Sequence, residues 1–100
     1  MATTIYQFFM MRPSEAWYQL SKEEQDKLLA VDAESSEKAG SKLIIFSDSA
    51  WSNEEWLYLG VKEYPNLESL QEHTKRLEAV SWFRYMNAKV ILGKEWEGNF

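Results

Sequence analysis

The stretch Thr4-Ile5-Tyr6-Gln7-Phe8-Phe9-Met10-Met11-Arg12, stopped by Pro13, decides how the rest of the chain is read. An extended backbone puts Ile5, Gln7, Phe9 and Met11 on one side and Tyr6, Phe8 and Met10 on the other. Both sides are apolar, which marks a central strand covered on two faces rather than an amphipathic surface strand. Gln7 is the one polar residue inside it. Whatever the fold, it must supply a layer above this strand and another below.

Working outward, Ser14 to Leu20 reads as a helical turn carrying Trp17 and Leu20. Ser21-Lys22-Glu23-Glu24 then has the form of a capping box, the serine accepting from the Glu24 amide and the glutamate reaching back. The helix it opens is expected to run to about Ala39 and to stop at Gly40, a residue suited to a left-handed C-terminal position. Its apolar set of Leu28, Leu29, Ala33 and Ala39 is thin. Glu23, Asp26, Lys27, Glu34 and Glu37 form a solvated face. Leu43 to Phe46 is a second strand, followed by the turn formers of 47–55 and a third strand over Trp56 to Val61. There Leu57, Leu59 and Val61 share one face, and Trp56, Tyr58 and Gly60 the other, with both faces again read as buried.

Pro65-Asn66 opens a second helix with Asn66 as its N-cap. Leu67, Leu70, Thr74, Leu77 and Ser81 follow helical spacing, flanked by His73 and Val80. Ala88 to Leu92 is a fourth strand, and Gly93 onward is a tail with Trp96 and Phe100. No repeat, linker or low-complexity stretch interrupts this order, so residues 1–100 are expected to form one domain with an ordered core over about 4–95. The order β-α-β-β-α-β gives an α+β, ferredoxin-like split arrangement: a four-stranded antiparallel sheet with two helices on one face. Strands apolar on both sides leave the second face to be covered, and a second copy of the chain is the economical cover. A twofold homodimer is therefore expected.

Composition narrows the function classes without choosing one. The 100 residues carry no cysteine, excluding disulfide scaffolds, cysteine-ligated metal sites and a cysteine nucleophile. Sixteen acids against eleven bases argue against a nucleic-acid partner. The longest apolar runs fall far short of the ~20 residues that span a bilayer, and the N-terminal residues lack a signal-peptide pattern. A soluble cytoplasmic protein with no membrane partner is the expectation. Fifteen aromatic residues in so small an acidic chain call for extensive burial, in a core or an interface.

Two further stretches carry a family resemblance. Trp17-Tyr18-Gln19-Leu20-Ser21-Lys22-Glu23-Glu24 is similar to the W-x-x-L-s-x-x-E entrance to the first helix in darcynin-like proteins. The run Trp82-Phe83-Arg84-Tyr85-Met86-Asn87-Ala88-Lys89-Val90-Ile91-Leu92-Gly93 is similar to their junction between helix and last strand. Over residues 4–95 the chain resembles the dimeric α/β-barrel superfamily, which includes antibiotic-biosynthesis monooxygenases and stress-responsive barrel proteins. That resemblance implies a dimeric barrel and a cavity between helices and sheet, into which the part of the second helix around His73 looks in the monooxygenase-like members. The darcynin-like group brings no settled activity with it.

Candidate site residues follow from chemistry and from that resemblance. No phosphate loop and no nucleophile elbow are present, and one histidine without cysteine makes a catalytic zinc site improbable. His73 is the side chain suited to proton transfer near neutrality, and Leu70 and Leu77 are its helical neighbours. Two readings stand for it: a buried histidine hydrogen-bonded to a carbonyl or carboxylate, or an acid/base facing a ligand. Glu72 points elsewhere and is no evident partner. Gln7 must satisfy two donors and an acceptor, either on neighbouring side chains or on a bound carbonyl or dioxygen. The resemblance raises the second reading, because strand-one amides face the cavity in some cofactor-free oxygenases of the superfamily. Trp17 and Trp82 are expected to shape the pocket wall, or else simply to pack. Haem-binding barrels of the superfamily carry their axial histidine later on the second helix, where this chain has Trp82, Phe83 and Arg84, so no cofactor is expected. The expected function is binding of an apolar or aromatic small molecule, with cofactor-free oxygenase or isomerase chemistry at His73; a non-catalytic interaction domain is the alternative.

Overall fold

In the computed structural model, which describes residues 3–99, the chain runs β1 (Ile5–Pro13), α1 (Glu15–Tyr18), α2 (Lys22–Lys38), β2 (Lys42–Asp48), β3 (Tyr58–Tyr64), α3 (Leu67–Ala79), α4 (Trp82–Tyr85) and β4 (Met86–Gly93). Met1, Ala2 and the tail residue Phe100 lie outside the described residues. The strands form one antiparallel sheet in the order β2-β3-β1-β4. With the helices between strands as they are, this is the ferredoxin-like arrangement.

Register decides which side chains share a face. Gln7 lies between Lys62 and Leu92, Phe9 between Gly60 and Val90, and Met11 between Tyr58 and Ala88. Phe8 lies between Val61 and Ile91, and Met10 between Leu59 and Lys89. The odd-numbered residues of β1 meet the helices. Ile5 packs against Ala39, Tyr64 and Leu70, and Met11 against Trp17, Leu77, Trp82 and Met86. On edge strand β2 the register shifts between Leu43 and Ile45, so Leu43 and Phe46 face the helices while Ile45 faces away beside Val61. Gly60 is required where it stands: a Cβ there would lie 2.3 Å from the Phe9 ring that crosses it.

The long helices start and stop for local reasons. Ser21 caps α2 with both halves of the capping box formed, and Gly40 follows its end at φ +68°. The Asn66 side chain accepts from the Ser69 amide at 2.7 Å to cap α3. Trp17, Leu77, Trp82 and Met86 make one core cluster, which ties the single turns α1 and α4 to α3. The Ser14 amide donates to the Tyr85 carbonyl at 2.8 Å, holding the two short turns side by side.

Several expectations need correcting. The inner stripe of α2 is not Leu28, Leu29, Ala33 and Ala39. Ala33 is exposed and Leu29, half-exposed, reaches only the cavity lining, whereas Asp32 and Ser35 turn inward with Leu28 and Ala39. A straight helix repeats at 28, 32, 35 and 39, and the tertiary partner of that stripe is polar. Trp56 precedes β3 instead of starting it. It is buried in the preceding loop, its amide donating to Asn53 Oδ1 at 2.7 Å and its ring 5.2 Å from the Arg12 guanidinium carbon. Ser81 does not extend the helical stripe of α3. It sits at φ 58°, a left-handed position that separates α3 from α4. Finally, the sheet is apolar on both faces and the helices of this chain cover one of them only in part, leaving Leu43 54%, Phe46 46%, Val90 47% and Leu92 44% exposed. Phe8 is 50% exposed and Ile91 72% on the far side.

Candidate functional site

A cavity of about 310 Å³ opens between the helices and the sheet. Its floor comes from Gln7, Phe9 and Met11 of β1, with Phe46 and Val90 from the strands at the two edges. Leu77 and His73 of α3, Asp32 of α2, and Trp82 and Phe83 of α4 complete the wall. Most of this lining is apolar or aromatic, with a few polar groups converging on it, as small-molecule sites usually are. The Phe46 ring stacks on Tyr58 at 5.2 Å and stands 6.1 Å from Phe9, a row of rings on the helix-facing side of the sheet.

His73 is the pivot of the polar end. It is 4% exposed, on the inner face of α3 between Leu70 and Leu77. Its Nδ1 is 2.7 Å from Ser35 Oγ and its Nε2 is 3.4 Å from Asp32 Oδ1. Asp32 and Ser35 are three residues apart on α2, so one face of that helix brackets both nitrogens of the ring. Behind them, Arg76 donates from Nε to Ser35 Oγ at 2.6 Å and from a terminal nitrogen to the Ser35 carbonyl at 3.0 Å. Glu72 holds Arg76 at 3.8 Å and takes no part in the histidine cluster.

Two more polar groups border this cluster. Lys62, the cross-strand neighbour of Gln7, lines the cavity and donates to Ser36 Oγ at 2.9 Å. Tyr64 is fully buried, its ring centroid 6.1 Å from that of His73, and its hydroxyl finds no partner among the described residues. Burial first, and the Asp32 charge second, push its phenol pKa up to about 12.

The residues singled out from sequence separate into two groups. Gln7, His73 and Trp82 all line the cavity, although Trp82 is also part of the packed core. The Gln7 amide makes no side-chain hydrogen bond among the described residues and stands half-buried in the wall. Trp17 does not line the cavity. It is buried under α1 against Leu77, Trp82 and Met86, because a turn of four residues directs its ring into the core. Asp32, Ser35, Lys62 and Arg76 escaped sequence reading. The available signal was the 28-32-35-39 repeat of α2, which places a carboxylate and a hydroxyl on the inner stripe. No group of three or more metal-ligating side chains occurs among the described residues, and no helix among them is long and apolar enough to cross a membrane.

Fold and cavity define a ferredoxin-like protein with a helix–sheet pocket. No family model matches the chain, and no curated protein matches it. Among solved structures, the methylated RPA0582 protein is similar over 97% of this chain and 84% of that one, with 17% identity and a TM-score of 0.68. A second structure of RPA0582, a protein of unknown function from Rhodopseudomonas palustris, is similar over 98% of this chain and 86% of that one, with 16% identity and a TM-score of 0.68. At such identity the likeness is one of fold.

Proposed function

We propose that the protein binds a compact apolar or aromatic molecule in the cavity between helices and sheet. The observation that carries this reading is that His73, Asp32, Lys62 and a Gln7 amide with no side-chain hydrogen bond among the described residues all border one mostly apolar pocket of about 310 Å³. An apolar body fits the Phe9, Met11, Leu77 and Val90 walls, and a polar head meets the histidine cluster. The chemistry this end supports is proton exchange with the bound molecule, without a cofactor. The resemblance of the β-α-β-β-α-β order to monooxygenase-like α/β barrels, in which the second helix looks into a cavity between helices and sheet, supports the same placement of the site.

The test is a thermal-shift screen against quinones, phenols and fatty acids. A ligand present at 100 Kd stabilises by about 2.7 kcal/mol. Ala88→Phe, on the pocket-facing side of β4, should leave the unliganded melting temperature within a few degrees and abolish the ligand-induced shift. A hit whose shift survives A88F binds elsewhere, and a screen without hits rejects the reading.

The second reading is a non-catalytic module whose aromatic content serves a homodimer. Its specific support is the uncovered sheet face, where Phe8, Ile45, Leu59 and Ile91 are all more than 40% exposed. A second copy packed face to face buries the same patch on both chains, as a twofold interface requires. The two readings are compatible: the dimer uses the open face of the sheet, the ligand the helical one.

A further inference from the structure

The cluster behind the cavity has a directionality that the ligand reading does not use. Arginine can only donate hydrogen bonds. The 2.6 Å contact from Arg76 Nε to Ser35 Oγ therefore makes the serine oxygen an acceptor on that side. The serine keeps one proton of its own, and its other partner is His73 Nδ1 at 2.7 Å. A second lone pair could accept from Nδ1–H, but the proton of the buried hydroxyl would then have no acceptor among the described residues, so the serine donates to Nδ1 and Nδ1 of the neutral ring accepts. The ring proton is left on Nε2, the nitrogen beside Asp32. The Nε2–Oδ1 separation of 3.4 Å is longer than an ordinary N–H···O hydrogen bond, leaving this donor and the Asp32 acceptor available side by side.

We infer that Arg76 and Ser35 are positioning residues that lock His73 as its Nε2–H tautomer, so that the cavity presents a donor at His73 beside an acceptor at Asp32 and selects a neutral head group carrying both an acceptor and a donor. This deepens the ligand reading and rests on it for the choice of head group. Asp32, rather than the imidazole, is then the proton acceptor of the site. The other charge in the wall, Lys62, is opposite in sign to Asp32 and already donates to Ser36, so the pocket exerts little net pull on an anion. An aromatic primary amide meets the pattern: its carbonyl accepts from Nε2–H and its NH2 donates to the carboxylate. The matching carboxylate offers acceptors alone and sets a negative charge against Asp32.

His73 is the one histidine of the chain, so its ring nitrogens can be read without assignment ambiguity. Long-range 1H–15N correlation on the 15N-labelled full chain, with the ring neutral, should show Nε2 protonated and Nδ1 bare. Arg76→Ala uncovers Ser35 Oγ to water that can take the serine proton, so that Nδ1–H can donate to the serine, and should convert the single tautomer into a mixture. Ser35→Ala should do the same. The relay is overturned if the wild type carries its proton on Nδ1, or if R76A leaves the tautomer unchanged. Arg76 lies partly on the surface, so R76A keeps the test open even where S35A does not fold.

The head-group half is read by thermal shift with 2-naphthamide and 2-naphthoate. The amide should reach its half-maximal shift at a concentration at least tenfold below the carboxylate. Equal or tighter binding of the carboxylate overturns the selectivity. If neither compound binds, the ligand reading falls together with the head-group assignment, while the tautomer spectra still decide the relay.

Discussion

Tyr64 is the residue where burial and chemistry conflict most. A hydroxyl sealed from water without a partner costs about 1–3 kcal/mol, and its persistence beside Asp32 and His73 makes the polar cluster less stable than an apolar one of equal shape. Tyr64→Phe should therefore raise the melting temperature, by an amount equivalent to about 1 kcal/mol or more. The phenol also has a pH signature. Its folded pKa of about 12 lies above the ordinary phenol value of 10.0, so the unfolded chain gives up this proton first as pH rises. The Tyr64 contribution to stability is complete below pH 10 and is lost as pH climbs from 10 towards 12. Denaturant titrations across that window should show a decline that Y64F removes; an identical decline in Y64F would refute the assignment. His73 teaches the complementary lesson. Its place beside the apolar stripe of α3 is legible from the Leu70 and Leu77 spacing, but its partners are contributed by another helix and no spacing within α3 announces them.

Among the elements, the long helices were the most legible because their ends are written locally. Ser21 and Glu24, or Asn66 and Ser69, are near neighbours in sequence, and the bonds they make form in any context that permits a helix. The Glu24 carboxyl is held below its usual range, first by the Ser21 backbone amide and then by the Ser21 hydroxyl. A carboxyl lowered in the folded state contributes stability above its unfolded value of 4.5, and that contribution is lost as pH falls through the lowered value. Acid unfolding of Glu24→Gln should show a shallower dependence over this range than the wild type. Ser21→Ala should cost about 0.5–2 kcal/mol at neutral pH. Stability unchanged in S21A would mean that tertiary contacts alone hold the start of α2. Strand limits were less legible. β3 begins at Tyr58 because Trp56 is held in the preceding loop by Asn53 and Arg12, contacts made by residues outside the strand.

For the whole molecule the open question posed by β1 was what covers its two faces. One is covered by α1 to α4, with the cavity left where the helices do not reach the Phe9, Phe46 and Val90 side of the sheet. The other exposes Phe8, Ile45, Leu59 and Ile91 side by side, and adjoining apolar groups of this kind mark an interaction surface. A homodimer of two 11.8 kDa chains is the proposed state. Sedimentation at micromolar concentration should give twice the chain mass, and Ile91→Asp should give the monomer. The substitution sets a carboxylate from each chain into the proposed interface, where the desolvation of the two charges opposes association. A wild-type monomer, or a dimer indifferent to I91D, would remove the face-to-face arrangement.

Alternation along β1, the capping motifs and the β-α-β-β-α-β order follow from interactions a few residues long, and they were enough to specify a ferredoxin-like sheet with its helices. The same alternation was silent about which face the helices would take, since Phe8 and Phe9 are equally apolar. Packing of Ile5 and Met11 against α1 to α4 made that choice, and with it the placing of Gln7 rather than Phe8 in the cavity. The histidine cluster belongs to the same category. Asp32, Ser35, His73 and Arg76 come from two helices separated by two strands, and a hydrogen bond between residues some forty positions apart leaves no periodicity in the chain that forms it.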